Sequence, residues 1–152
     1  MAKEIERKFL VVDNSYRESA ESVIEIIQGY LSADPDRTVR IRLYGDKAFL
    51  TVKTRNDGAL RHEWEYEIPA EDAREMLEKA AVNVLSKRRY LVPASEKGLV
   101  WEVDEFGGAL SGLVIAEVEL PELDTPVNLP VFVGDEITGD PRYYNSNLAA
   151  QA

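Results

Sequence analysis

Apolar and polar side chains alternate with period two along most of the chain, the pattern of half-buried strands. Between Glu4 and Val12, Ile5 and Phe9 fall on one face and Glu4, Glu6 and Lys8 on the other. The same alternation predicts strands over Val23–Ser32, Thr38–Tyr44, Ala48–Arg55, Arg61–Ile68, Val84–Val92, Leu99–Phe106 and Leu113–Leu120. Turn chemistry separates several of them, at Asp34-Pro35-Asp36, Gly45-Asp46-Lys47 and Asn56-Asp57-Gly58. A short helix is expected near residues 14–21, capped by Asn14 or Ser15. A stronger one runs from Pro69 to about Ala80. Its proline stands near the start, Glu71 and Asp72 lie in the first turn, and Met76, Leu77 and Ala80 form an apolar stripe. A closing helix is expected from about Tyr143 to Ala149, and Pro121 to Pro130 reads as a surface connection. With no internal repeat and no linker, the pattern predicts one domain over residues 1–152. It is mainly β (α+β), an eight-stranded antiparallel barrel with a few flanking helices.

The polar faces of these strands are unusual because they are almost wholly charged. The pairs are Glu4 and Glu6 with Lys8, Arg40 and Arg42, Thr51 and Lys53, Glu63 and Glu65, Lys87 and Arg89, Glu102 and Asp104, and Glu117 and Glu119. Each pair is spaced by two, so both members stand on one side of their strand. A single such pair is ordinarily a solvated face. Seven in one chain, with apolar residues opposite, predict a barrel whose interior is a polar tunnel and whose outside is packed. Clustered carboxylates call for a hard divalent cation such as Mg²⁺ or Mn²⁺. Clustered Arg and Lys call for a polyanion, which Arg meets as a planar fork and Lys as a point charge. Together they form the apparatus of phosphoryl transfer. The apolar outer faces outnumber the helices able to cover them, which points to a homodimer.

Composition narrows the field. The chain has 152 residues, 45% hydrophobic and 30% charged, as a globular domain has. A net charge of −10 argues against nucleic acid and anionic membranes as partners. The absence of cysteine excludes disulfides and thiol catalysis, and the lone His62 excludes a two-histidine metal site. No apolar stretch approaches a membrane span, and the acids in Met1–Glu6 are unlike a signal peptide, so a cytoplasmic, bacterial-type protein is expected.

The charged motifs also resemble a family. Glu4-Ile5-Glu6-Arg7-Lys8 is similar to the ExExK signature of the CYTH superfamily, the triphosphate tunnel metalloenzymes. Gln28-Gly29-Tyr30-Leu31, Arg40-Ile41-Arg42, Leu50-Thr51-Val52-Lys53, Arg61-His62-Glu63-Trp64-Glu65, Lys87-Arg88-Arg89-Tyr90, Glu102-Val103-Asp104, Glu117-Val118-Glu119 and Arg142-Tyr143-Tyr144-Asn145 follow in the family's order. The set spans essentially the whole chain and most resembles the short bacterial inorganic triphosphatases.

The resemblance implies a metal-dependent hydrolase that binds a small-molecule triphosphate, inorganic tripolyphosphate first, and cleaves its terminal phosphate. A class IV-type adenylyl cyclase, a thiamine triphosphatase and a non-catalytic polyphosphate-binding module are the alternatives. Carried over by position, Glu4, Glu6, Asp104, Glu117 and Glu119 would surround the metal, with Glu102 assisting. Lys8, Arg40, Arg42, Lys53, Lys87 and Arg89 would bind phosphate oxygens. Glu63, Glu65 and Glu102 would be supporting tunnel acids, and Lys53 (beside Tyr30) and Lys87 the candidates to assist the leaving group. His62, Trp101 and Phe106 are read as packing or surface residues, and Arg7 and Arg88 as partners in surface pairs.

Overall fold

The computed structural model describes residues 3–151; Met1 and Ala2, at the head of the segment read above as no leader, and Ala152 lie outside the described residues. Nine strands carry the fold: β1 (Lys3–Val11), β2 (Ser22–Ser32), β3 (Thr38–Tyr44), β4 (Lys47–Lys53), β5 (Leu60–Ile68), β6 (Val82–Pro93), β7 (Val100–Phe106), β8 (Val114–Glu119) and β9 (Val133–Glu136). Three helices accompany them: α1 (Tyr16–Ser19), α2 (Ala70–Lys79) and α3 (Asn145–Ala149). The strands run in the order β5-β4-β3-β2-β6-β7-β8-β1, and β5 also pairs with β1. The eight predicted strands therefore close into an antiparallel barrel. The hairpin between β3 and β4 turns at Gly45, whose φ of +63° is the left-handed conformation such a turn requires.

Closure depends on how β1 divides its hydrogen bonds. One edge pairs with β8 from Glu6 to Leu10. The other pairs with β5 only at Lys3, Glu4 and Ile5, then with β9 at Phe9 and Val11. Strand β9 is absent from the sequence-based expectation, because its Val-Gly-Asp-Glu segment carries no alternating pattern. The expected closing helix is shorter than predicted: a 3₁₀ turn at Pro141–Tyr143 precedes α3.

The outer faces are covered mostly from within the chain. Ala73 of α2 packs on Ile41 and Ala48. Phe9, Trp101 and Val118 lie under Tyr16 and Phe132. The segment around Pro121–Pro130 is thus more than a connection, because it carries Val127 and leads into Phe132, both part of that core. Trp101 is packing, as expected. Gly29 admits α2 closely: a Cβ there would stand 2.9 Å from Val84 and 3.1 Å from Leu77. His62 lies on the outer face, stacked on Trp64. Arg7 pairs outside with Glu136, and Arg88 with Glu25. Among the described residues, no helix is long and apolar enough to cross a membrane.

Candidate active site

Residues directly opposite across an antiparallel pair share a face, so the register alone gathers the charged residues inside. Glu6 faces Glu119 and Lys8 faces Glu117. Tyr30 faces Arg40, and Gln28 faces Arg42. Lys53 faces Glu63, Thr51 faces Glu65, and Arg89 faces Asp104. Each sequence-predicted site residue lies on this inner face. A cavity of about 390 Å³ runs between them, lined by Glu4, Glu6, Arg40, Arg42, Lys53, Glu63, Glu65, Arg89, Glu102, Glu117 and Glu119. Lys8, Tyr30, Lys87 and Asp104 are buried behind this lining.

Three neighbourhoods inside the tunnel are already paired. Asp104, 1% exposed, receives Arg89 Nε and Nη2 at 2.8 and 2.9 Å, and Lys87 Nζ at 2.7 Å. Burial by itself would raise the Asp104 carboxyl, but Arg89 and Lys87 hold it well below the usual carboxylate range. Burial pushes the Lys87 ammonium down to about 7 against the pull of Asp104. Its Nζ also donates to Asn145 Oδ1 at 3.2 Å. In the second neighbourhood, Glu4 meets Lys53 and Arg61, each at 3.3 Å. Burial opposes the charge on Glu4, yet Lys53 and the hydrogen bond with Glu63 keep its pKa far below normal. In the third, Lys8 lies 3.6 Å from Glu117, whose pKa falls to about 2 because Lys8 outweighs burial.

The remaining charges are less fully paired: Glu6 stands 3.8 Å from Lys8, and Glu102 meets Arg89 at 3.1 Å through one oxygen. Burial, then Glu117 and Glu4, drive the Glu6 carboxyl up to about 7. Burial and the hydrogen bond to Glu4 take Glu63 up to about 8. Burial also raises Glu102 and Glu119, the latter helped by Glu4. On the basic side, Arg40 Nε is buried without a hydrogen-bond partner, while its Nη2 reaches Thr51 Oγ1 at 3.3 Å. Burial, Arg40 and Arg89 all press Arg42 downward, although its Nε donates to Gln28 Oε1 at 3.0 Å. The tunnel thus holds acids raised by burial and by one another beside guanidiniums only loosely met by anions, Arg40 reaching Glu65 at 3.7 Å.

This donor set fits a hard divalent cation in kind: carboxylate oxygens whose repulsion a cation would relieve. The carboxylates are not drawn together around one point. Among the described residues, no group of three or more His, Cys, Asp or Glu side chains is arranged to hold an ion. Glu6 and Glu119 are the acids with capacity to spare, and Glu102 keeps one oxygen beyond the one that accepts from Arg89. Both oxygens of Asp104 are already engaged by cations, so its geometry is that of a counter-ion for Lys87 and Arg89.

The sequence-based reading assigned no site role to several residues that stand here. Arg61 lies in a quoted motif and reaches Glu4; the alternation through Arg61, Glu63 and Glu65 was the signal for it. Gln28 is fully buried and orients Arg42, and its spacing of two from Tyr30 marks it as inward. Asn145 depends on how α3 docks, which no strand pattern reports.

Comparison with known proteins agrees with this geometry. Residues 2–144 match the CYTH domain. The chain is 48% identical over 149 residues to an Acetivibrio thermocellus protein named inorganic triphosphatase, covering 97% of this chain and 94% of that one. It is 33% identical over 149 residues to a Nitrosomonas europaea protein of the same name, covering 96% of each. The crystal structure of an inorganic triphosphatase superposes with a TM-score of 0.69 at 31% identity, covering 98% of this chain and 99% of that one. A Hippeastrum protein at 19% identity and TM-score 0.60, covering 78% and 80%, shares the fold alone.

Proposed function

We propose, from the premise that this chain belongs to the CYTH family, that it is an inorganic triphosphatase using Mg²⁺ or Mn²⁺. The observation that carries the reading is the juxtaposition in one cavity of an unpartnered Arg40 Nε with a Glu6 carboxyl raised to about 7. A metal–triphosphate complex satisfies both at once: its oxygens accept from the guanidinium and its cation meets the acids. Inorganic triphosphate is the substrate named for both relatives.

In this reading Arg40 and Arg42 grip phosphate oxygens, and Arg89 is held in place by Asp104 and Glu102. Glu6, Glu119 and Glu102 hold the divalent ion, with Glu4 and Glu117 released in part from Lys53 and Lys8 as those lysines turn to phosphate. The bound ion supplies Lewis-acid polarisation of the phosphoryl oxygens and neutralises their charge. Water attacks the terminal phosphorus, the bridging P–O bond breaks, and pyrophosphate leaves with a proton. Lys53 is the better placed of the two candidate lysines to give that proton. It lines the cavity, whereas Lys87 is enclosed by Asp104 and Asn145. Burial and Arg40 lower the Lys53 pKa, which favours donation. Tyr30, buried beside Arg40, accepts from Gln28 at its hydroxyl and keeps the lysine's surroundings fixed.

The decisive assay offers tripolyphosphate and ATP with Mg²⁺, Mn²⁺ or EDTA. Orthophosphate release from tripolyphosphate, abolished by EDTA and restored by metal, is expected. Cyclic AMP with pyrophosphate from ATP, and no turnover of tripolyphosphate, would overturn the reading. Lys53→Ala should lower kcat by roughly 10²- to 10⁴-fold, the usual weight of a general acid, with a smaller change in KM. A larger kcat loss in a folded Lys87→Ala protein would move the proton to Lys87.

A further inference from the structure

The C-terminal segment closes one end of the tunnel and has a cavity on each of its sides. Tyr30 and Phe106 are buried in one core with Leu148 and Ala149 of α3. Asn145, at the start of α3, lines the tunnel cavity. Ser146 and Asn147, the next two residues, line a separate outer hollow of about 150 Å³, together with Arg55, Asn56 and Arg61. A smaller hollow shares Arg40 and Lys53 with the tunnel, and Tyr144 and Ser146 with the outer hollow. Arg61 borders all three spaces.

The outer hollow is chemically unlike a packing gap. Arg61 and Arg55 are each tethered by one carboxylate: Arg61 Nε donates to Glu4 Oε1 at 3.3 Å, and Arg55 Nε donates to Asp36 Oδ1. Among the described residues, no hydrogen bond engages the terminal nitrogens of either guanidinium. A guanidinium presents its donors in a fixed fork, so each arginine keeps an edge of the kind that meets a phosphate group in bidentate fashion. Asn56 Oδ1 is buried with no hydrogen-bond partner among the described residues. A buried carbonyl oxygen in that position carries its desolvation cost until a donor reaches it. The walls thus supply donors from two arginines and one acceptor in need of a donor. A water takes about 30 Å³, so the hollow suits a group the size of one tetrahedral oxyanion.

We propose that Arg55, Arg61 and Asn56 form a second anion site, outside the tunnel, for orthophosphate that retains a P–OH group. The arginine forks donate to its oxygens, and its P–OH donates to Asn56 Oδ1. Near neutral pH orthophosphate keeps at least one such proton, whereas sulfate, alike in shape, has none. Asn56 therefore discriminates between the two. Orthophosphate as the ligand rests on the triphosphatase reading, because it is the product formed in the cavity on the other side of Arg61. The site is distinct from the grip on metal and triphosphate, since neither Arg55 nor Asn56 lines the tunnel.

The test is an amide NMR titration of the protein in EDTA with orthophosphate, and with sulfate in parallel. Signals of Asn56, Ser146 and Asn147 should follow one binding curve, distinct from the curve of Arg40 and Arg42 in the tunnel. Arg55→Ala should raise the Kd of the first curve by at least about tenfold, the weight of a hydrogen bond to a charged group, and leave the second within about twofold. Arg55 is largely exposed, so this variant should fold. In the wild type, sulfate should bind the outer hollow at least about fivefold more weakly than orthophosphate, the weight of one unmet buried acceptor. In Asn56→Ala the two should bind about equally. Outer signals that stay still, or that move only along the tunnel curve, would overturn the site, as would an unchanged Kd in Arg55→Ala. Sulfate binding the wild type as tightly as orthophosphate would overturn the role of Asn56 and the assignment to orthophosphate. No turnover is involved, so a failure of tripolyphosphate hydrolysis beside the expected titration would sink the hydrolase reading and leave the phosphate site standing.

Discussion

Asp104 and Glu6 are carboxylates in one tunnel, the first fully buried and the second nearly so, and they are driven in opposite directions. Asp104 faces Arg89 and Lys87 and is held well below the usual range. Glu6 faces Glu119 across the strand pair, has Glu117 and Glu4 as its strongest neighbours, and rises to about 7. Burial is common to both, so the difference lies in the sign of the neighbours. The first neighbourhood is a completed internal salt and belongs to the architecture. The second is an incomplete one, and in the proposed function a cation completes it.

The largest expected effect breaks the completed neighbourhood. Asp104→Asn leaves Lys87 and Arg89 buried without their counter-ion, and breaking a buried pair in this way costs about 3–5 kcal/mol. Urea unfolding should show a clear drop in midpoint. An unchanged midpoint would mean that water or a bound anion already screens those cations, and the contrast with Glu6 would collapse.

The next effect sharpens the incomplete neighbourhood, because Glu6→Gln should act in opposite senses on metal use and on metal-free stability. Removing a ligand charge should raise the metal concentration for half-maximal activity by at least about 10- to 100-fold, the scale set even by groups that only support a metal's ligands. Without metal, the same change removes repulsion. The folded pKa of about 7 exceeds the ordinary 4.5, so the native state binds the proton more tightly than the unfolded chain. Stability from this group is therefore greatest below about 4.5, declines as pH rises through the window up to about 7, and is level above it. In EDTA, Glu6→Gln should equal or exceed the wild type at pH 8 and lose that advantage at pH 5. A variant less stable than wild type at both pH values would show that Glu6 is a structural acid like Asp104.

Much of this contrast was legible in the sequence. Period-two alternation placed the eight barrel strands and assigned every charged pair to one face, because strand geometry admits only two faces. Which acid meets which base was not legible. That follows from register and from long side chains choosing among several neighbours, and the pairing of Asp104, expected beside the metal, with Lys87 and Arg89 is of this kind. Strand β9 and the cover provided by Phe132 were hidden for a different reason: they form against partners more than a hundred or some thirty residues away, without a periodic pattern of their own. That cover reduces the bare outer surface on which the expectation of a homodimer rests. Exposed Trp64 and Tyr66 on β5 remain outside it.

The smallest effect comes from an ion pair outside the tunnel, and it separates geometry from environment. Arg7 Nη2 and Glu136 Oε1 stand 2.7 Å apart, as close as Lys87 and Asp104, and the contact is reinforced by Arg7 Nε on the other carboxylate oxygen at 2.9 Å. By distance alone, the two pairs would matter equally. Arg7, however, is on the outer face with its side chain 30% exposed, where water screens the charges and replaces a lost partner. Exposed pairs contribute about 0.2–1 kcal/mol. Arg7→Gln should therefore shift the unfolding midpoint several-fold less than Asp104→Asn, and the shift should shrink in high salt. Its kcat and metal requirement should match the wild type, because Arg7 points away from the cavity. If it destabilised as much as Asp104→Asn, its bond to Glu136 would be anchoring β9 to β1 rather than acting as a solvated pair, and proximity would outrank burial in this barrel.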